Sequence, residues 1–244
     1  MRNTFDRFNG RHQDYQAARP SYAQEFLDWL GELYAPPERY TAADIGSGTG
    51  KLSAQLLAAG FRVCGVEPNP DMRGAAEALL GGDPRFSSSN GTDHDTGLPD
   101  RSVDMVAAAQ AFHWFDGPAF ARECRRILRP GGRAVLVWNV RGSAPMNQAL
   151  AQVFREHCPS FHGFTGGMGE DDPCIRDFFG GAYEKRRFPN PLTLDRDRFL
   201  RRCFSSSYAL REGDADYEAF RAALEALFPV VYESAGGQKR IFEG

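Results

Sequence analysis

Two hydrophobic periods alternate along the first 140 residues. Apolar runs of strand length occur at Thr41 to Ile45, Arg62 to Val66, Val103 to Ala109 and Ala134 to Trp138, with a weaker one at Arg85 to Ser88. Between them the apolar positions recur every three or four residues, as at Leu52, Leu56 and Leu57, or at Phe120, Cys124, Ile127 and Leu128. Runs of the first kind read as buried strands and stretches of the second kind as helices with one apolar face. Parallel strands need crossover connections and helices supply them, so the alternation predicts an α/β fold with a doubly wound, mostly parallel sheet.

Punctuation supports these boundaries. Ser21 after Pro20 can cap a helix whose stripe is Tyr22, Phe26, Leu30 and Leu33, and Pro36-Pro37 ends it. Asn69-Pro70 is a helix start, because Asn caps and the fixed φ of Pro suits the first helical position. Pro130-Gly131-Gly132 separates the last of these helices from the strand that follows.

Beyond Asn139 the pattern changes. Met146, Leu150, Val153, Phe154 and His157 form a helical stripe. Residues 159–181 hold Gly163, Gly166, Gly167, Gly169, Gly180 and Gly181 with little periodicity and read as a loop or lid. Ala182 to Phe188 reads as a strand, Asp195 to Cys203 and Asp214 to Phe228 as helices, and Gln238 to Glu243 as a last strand. The expected organisation is a cap segment over 1–37, a ligand-binding core over 38–140, helical lid and acceptor-binding insertions over 141–181 and 190–230, and final strands of the core sheet at 182–189 and 236–244.

The chemistry concentrates in Asp44-Ile45-Gly46-Ser47-Gly48-Thr49-Gly50, where the first strand turns into a helix. Glycines let a backbone turn tightly and approach a ligand with no Cβ in the way. A dinucleotide site places its third glycine at the position held here by Lys51, which weakens a nicotinamide or flavin reading. Asp44 instead puts an anion at the strand end, suited to a ligand with an ammonium or sulfonium group. Glu67 closes the second strand 23 residues later, near the ~20-residue offset at which a carboxylate accepts from ribose hydroxyls. Its replacement by alanine is expected to weaken ligand binding far more than folding.

Composition narrows the partners. The 244 residues are 42% hydrophobic and 25% charged, with a net charge of -3, and this gives no reason to expect a polyanion such as nucleic acid. No apolar run reaches the ~18 residues of a membrane span, the first residues are polar, and the five scattered cysteines form no C-x-x-C pair. A cytoplasmic protein without disulfides, metal or membrane partner is expected, and its oligomeric state is left open.

These motifs resemble the class I S-adenosylmethionine-dependent methyltransferases, in particular the small-molecule branch known as methyltransferase type 11, with its trans-aconitate methyltransferase-like members. Asp44 to Gly50 resembles the glycine motif of that family, Val66 to Met72 its ribose and adenine segment, and Leu128 to Gly132 the turn before its fifth strand. The resemblance implies a Rossmann-like seven-stranded sheet ending in an antiparallel strand, with an N-terminal cap helix and a C-terminal helical lid. It implies S-adenosylmethionine as cofactor and S-adenosylhomocysteine as product.

By the same resemblance Asp44 and Gly46 sit beside the methionine part, Glu67 holds both ribose hydroxyls, and Ser47, Gly48, Gly50 and Pro68 are further cofactor contacts. Met72 packs on the adenine, Thr92 or Asp93 meets its edge, and Gln110 lies at the fourth-strand exit. Tyr15 and Arg19 fall in the segment that caps the cofactor in relatives. Gly91-Thr92-Asp93-His94 stands where relatives often carry G-T-A-E, and the D/N-P-P-Y/F motif of nucleobase amino-methyltransferases is absent from Ala109 to Phe115.

The acceptor is expected to be a small molecule bearing a carboxylate, hydroxyl or amine. His113 is the candidate general base where a proton must leave, since imidazole titrates near neutral pH. Trp114 and Arg141 are candidate acceptor contacts. Aminopropyl transfer, a non-catalytic binding module on the same fold, and a nicotinamide-dependent oxidoreductase remain as other readings, because a fold does not fix a function.

Overall fold

The structure, a computed structural model, describes residues 20–141, 145–164, 168, 169, 171–234 and 241–243. The chain divides into two compact units. In their described parts the first comprises residues 21–138 and 169–188, and the second residues 139–168 and 189–243.

The first unit is built on five parallel strands in the order β3-β2-β1-β4-β5. These are β1 (Thr41–Ile45), β2 (Arg62–Val66), β3 (Phe86–Ser89), β4 (Val103–Ala109) and β5 (Leu128–Val137). Helices α1 (Gln24–Leu33), α2 (Lys51–Ala58), α3 (Pro70–Leu80) and α4 (Gly117–Ile127) complete the alternation. The chain winds outward from β1 through β2 to β3, then crosses back to β4 and continues outward to β5. The loops leaving β1 and β4 therefore diverge at the carboxyl edge of the sheet, and in open α/β sheets that divergence is where ligands bind.

Local chemistry explains most boundaries. Asn69 Oδ1 accepts from the N–H groups of Asp71 and Met72 at 3.0 and 3.1 Å and so caps α3. Helix α1 begins at Gln24, later than Ser21 suggests, because the Gln55 side chain holds the backbone of Tyr22 extended. Its Oε1 accepts from Tyr22 N at 2.8 Å and its Nε2 donates to Tyr22 O at 2.9 Å. Phe26, Leu27 and Leu30 of α1 are buried in one core cluster with Leu52, Leu56, Leu57 and Phe61 and with the strand residues Ala42, Val63, Met105 and Ala107.

The expected seven-stranded sheet is corrected to five. Residues 182–188 form no strand: Glu184, Lys185, Arg186 and Arg187 are consecutive, exposed charges that leave neither face apolar, and Phe188 alone turns inward, against Phe26 and Trp29. The last strand, β7 (Ile241–Glu243), is antiparallel but pairs with β6 (Leu192–Leu194) in a separate two-stranded sheet of the second unit. The glycine-rich stretch also contains a short helix, α6 (Pro173–Phe178), capped by Asp172 Oδ1, which accepts from Cys174 N at 2.9 Å. Phe178 carries it onto Phe112 and Phe120, with ring centroids 5.1 and 5.2 Å away.

In the second unit α5 (Pro145–His157), α7 (Arg196–Phe204) and α8 (Tyr217–Ser234) enclose a core of Leu150, Phe154, Phe161, Phe199, Phe220 and Leu224. Among the described residues no helix is long and apolar enough to cross a membrane.

A buried polar network holds the loop after β3 on α4. Glu123 Oε1 accepts from the N–H and the hydroxyl of Thr96 at 2.9 and 2.6 Å, while Arg126 donates to both carboxylate oxygens at 2.7 and 2.8 Å and also reaches Asp100. Burial alone would raise the Glu123 carboxyl, but the bonds from Arg126 and Thr96 outweigh it and hold it down to about 2. This stabilisation is complete above the ordinary value of 4.5 and is lost as pH falls through that value toward 2. Glu123→Gln is expected to lower the unfolding free energy by about 2 kcal/mol at pH 7, discounted for the partial exposure of Arg126, and by progressively less below pH ~4. Urea titrations of both proteins across that range check the outcome.

Candidate active site

The loop after β1 requires glycine at three places. Gly46, Gly48 and Gly50 have φ of 70°, 56° and 79°, a left-handed region that residues with a Cβ enter at a cost. At Gly46 space forbids a side chain as well, since a Cβ would lie 2.8 Å from Ala111 Cβ and 3.2 Å from the Phe115 ring. A Cβ at Gly50 would lie 2.9 Å from Leu80.

The N–H groups of this loop turn inward. Gly46 and Ser47 both donate to Val66 O, at 2.9 and 3.1 Å, and Gly48 donates to Glu67 Oε2 at 2.9 Å. A phosphate cradle needs those donors free to face the ligand. Here they are consumed by the end of β2, and the carboxyl edge of the sheet presents two acids instead. This is physical ground against a pyrophosphate ligand, independent of Lys51.

Asp44 is 1% exposed. Its Oδ2 accepts from Ser53 Oγ at 2.7 Å, and its Oδ1 accepts from none of the described residues. The Thr49 hydroxyl, equally buried, also lacks a partner. Burial pushes the Asp44 carboxyl up from 3.8 to about 6, against the pull of Ser53. An orphaned, desolvated carboxylate oxygen at a strand end suits a cationic ligand group, which would supply the missing partner.

Glu67 is buried too, and its bonds differ from the expectation. Oε2 holds Gly48 N and Oε1 holds Asn69 N, each at 2.9 Å. Burial raises its pKa, opposed by these two N–H bonds and by Arg73. Each oxygen keeps a further lone pair, so a pair of hydroxyls fits it. Removing the side chain would leave two buried N–H groups unsatisfied, so alanine here damages folding more than the sequence alone implies.

Around this centre Met72 is buried, with its sulfur 3.7 Å from where a Cβ of Gly48 would stand. Pro68 is half-buried, and its carbonyl accepts from Arg73 at 3.3 Å. Thr92 closes its own turn, its Oγ1 accepting from Asp95 N at 3.1 Å. Asp93 bridges instead: one oxygen lies 3.1 Å from His94 Nδ1 and the other accepts from Asp116 N at 3.0 Å, tying the β3 loop to the start of α4.

The exit of β4 is the remaining wall. Gln110 takes a left-handed φ of 55°, rare for a residue with a side chain, while its N–H continues the ladder to Val137 O at 2.8 Å. The turn that follows carries His113, half-buried with its ring 4.9 Å from that of Trp114, and Trp114 is exposed. Phe112 is buried among Phe115, Phe120, Trp138 and Phe178. The packing roles of Ala111 and Phe115 against Gly46, and the bridge made by Asp93, have no motif in the sequence. Arg141 belongs to the second unit, where its guanidinium lies 4.4 Å over the Phe164 ring. Tyr15 and Arg19 lie outside the described residues.

Residues 43–136 match the methyltransferase-domain family. An uncharacterized methyltransferase of Mycobacterium bovis is 42% identical over 127 residues, 52% of this chain and 49% of that protein. The chain thus spans about half the length of this relative. Among solved structures, a candidate type II methyltransferase from Anaeromyxobacter dehalogenans is 29% identical, with 92% of this chain and 93% of that one covered, at a TM-score of 0.59. A candidate methyltransferase from an antibiotic biosynthesis pathway of Anabaena variabilis is similar in fold at 24% identity, covering 93% and 95% of the two chains, with a TM-score of 0.65. The fold is the α/β Rossmann-like methyltransferase fold, built on a parallel sheet.

Since the folded pKa of Asp44 lies above that of the unfolded chain, the fold favours the protonated acid. That contribution is full below about pH 4 and is lost as pH rises through about 6. Asp44→Asn should therefore gain stability relative to the unmodified protein between pH 4 and pH 8, by about 3 kcal/mol for a shift of this size. Parallel denaturation curves with no pH-dependent difference would show that the buried carboxylate carries no such cost.

Proposed function

We propose that this chain transfers a methyl group from S-adenosylmethionine to a small-molecule acceptor and releases S-adenosylhomocysteine. The observation that carries the reading is the inward-turned glycine loop, which leaves the buried carboxylates Asp44 and Glu67, rather than N–H donors, at the switch point of the sheet. A ligand with a cationic amino-acid end and vicinal hydroxyls matches that donor set, and a dinucleotide does not.

In this reading Asp44, Gly46, Ser47, Gly48 and Gly50 border the methionine end, and Glu67 and Pro68 hold the ribose. Met72 lies against the adenine, Thr92 and Asp93 offer its edge polar contacts, and Gln110 closes the crevice. Tyr15 and Arg19 cap it. The bound cofactor supplies a methyl group already activated by its sulfonium. The protein is left to orient the acceptor and exclude water. His113 takes the proton of a hydroxyl or ammonium acceptor, and Trp114 contacts the acceptor. The trans-aconitate methyltransferase-like branch is the nearest description of such an acceptor range. Five free thiols, four of them buried, support a reducing compartment such as the cytoplasm.

Calorimetry should show S-adenosylmethionine and S-adenosylhomocysteine binding at micromolar strength, and mass spectrometry should detect S-adenosylhomocysteine as product once an acceptor is supplied. No saturation by either ligand up to millimolar concentration would sink the reading. The role of Glu67 is best read by changing the ligand and leaving the protein intact. An analogue lacking both ribose hydroxyls should bind about 2–3 kcal/mol more weakly, on the order of 30- to 150-fold. His113→Ala should lower turnover with cofactor affinity nearly unchanged, and a variant with full turnover would return His113 to a packing role against Trp114.

A further inference from the structure

The second unit carries a groove that the methyl-transfer reading does not use. It has a volume of about 650 Å³ and runs along α5, bounded by Pro145, Gln148, Ala149, Gln152 and Arg155, with Phe164 as a flat apolar wall. That volume lies within the range of small-molecule sites.

The polar lining is one-sided. The polar residues of the groove are Asn147, Gln148, Gln152 and Arg155, with no carboxylate among the described lining residues; Asn147 is buried, and the Gln152 amide donates to Glu156 at 2.9 Å. Arg155 is exposed in the last turn of α5 and forms no ion pair with any described residue. Arg141 is not part of the lining; its guanidinium lies 4.4 Å over one face of the Phe164 ring. A guanidinium presents a planar fork of donors that matches a carboxylate, and an aromatic wall matches a flat apolar body.

We propose that this groove is a binding site for a small planar organic anion, of which an aromatic carboxylate is the simplest form, with Arg155 pairing its carboxylate and Phe164 stacking on its ring. The site needs no cofactor, so it is tested without one. Benzoate titrated into the full-length protein and followed by NMR should saturate at a Kd of about 0.1–1 mM, while benzyl alcohol, of the same shape without the charge, should bind at least about tenfold more weakly. Arg155→Ala should weaken benzoate about tenfold and Arg155→Lys by less, since lysine keeps the charge but loses the fork. Phe164→Ala should weaken benzoate and benzyl alcohol alike. S-Adenosylhomocysteine affinity, measured by calorimetry on the same variants, should not move, which separates failure of this site from failure of the methyltransferase reading. Equal binding of benzoate and benzyl alcohol, or benzoate binding untouched by Arg155→Ala, would overturn the proposal.

Discussion

Everything at the carboxyl edge of the sheet depends on where three backbone N–H groups point. The chain leaving β1 must turn through three left-handed residues, and in doing so it delivers the N–H groups of Gly46, Ser47 and Gly48 to Val66 O and Glu67. Had the same glycines turned those donors outward, the loop would be an anion nest and the natural ligand a phosphate. Inward, they lock the end of β1 to the end of β2 and leave negative charge as the outstanding feature of the edge. In the proposed reading this turn, together with the carboxylates of Asp44 and Glu67, sets the sign of the ligand.

The topology then decides what can stand beside it. Because β1 and β4 are neighbours while their connections run to opposite sides, the turn after β4 is brought against the glycine loop, and Ala111 and Phe115 occupy the space a Cβ at Gly46 would need. The left-handed Gln110 is the backbone strain that starts this turn, and Asp93 steadies its far end by accepting from Asp116 N. The Glu123 network with Thr96 and Arg126 in turn fixes the segment that holds Asp93.

The parallel strands and their helices were legible because both periods are strong and a cap such as Asn69 acts within a few residues of itself. The glycine loop was legible for the same reason, since φ above zero leaves its mark in residue identity. Pro130-Gly131-Gly132, expected to separate helix from strand, instead falls inside β5, where the pairing with β4 jumps from Val103 with Leu128 to Met105 with Arg133. What escaped the sequence depends on partners far away in the chain. The start of α1 is set by Gln55, 33 residues from Tyr22, and the inward bonds of Glu67 depend on the path of the loop. Residues 182–188 have the aromatic ends of a strand, but four charges between them outweigh those ends. β6, three residues after Pro191, carries too little pattern to predict the partner that takes β7 away from the core sheet.

The two acids of the edge have different physical standing, and that difference explains how a stable fold can hold a reactive site. Glu67 has backbone donors on both oxygens, which oppose but do not cancel the upward push of burial, so it ties the loop to the strand whether or not a ligand is present. Asp44 is held by the hydroxyl and backbone of Ser53, keeps an orphaned Oδ1 among the described residues, and its ionised form is a standing cost to the fold at neutral pH. A cost of that kind persists where binding relieves it: a cation reaching Oδ1 offsets part of the desolvation and gains affinity from a carboxylate that water does not screen. The surrounding sheet can carry it because Ala42, Ala43, Ile45 and Val66 bury the strand ends almost completely, giving the core enough apolar contact to tolerate one unsatisfied charge. Stability and ligand affinity are in opposition at this single residue, and the rest of the unit is built to absorb the difference.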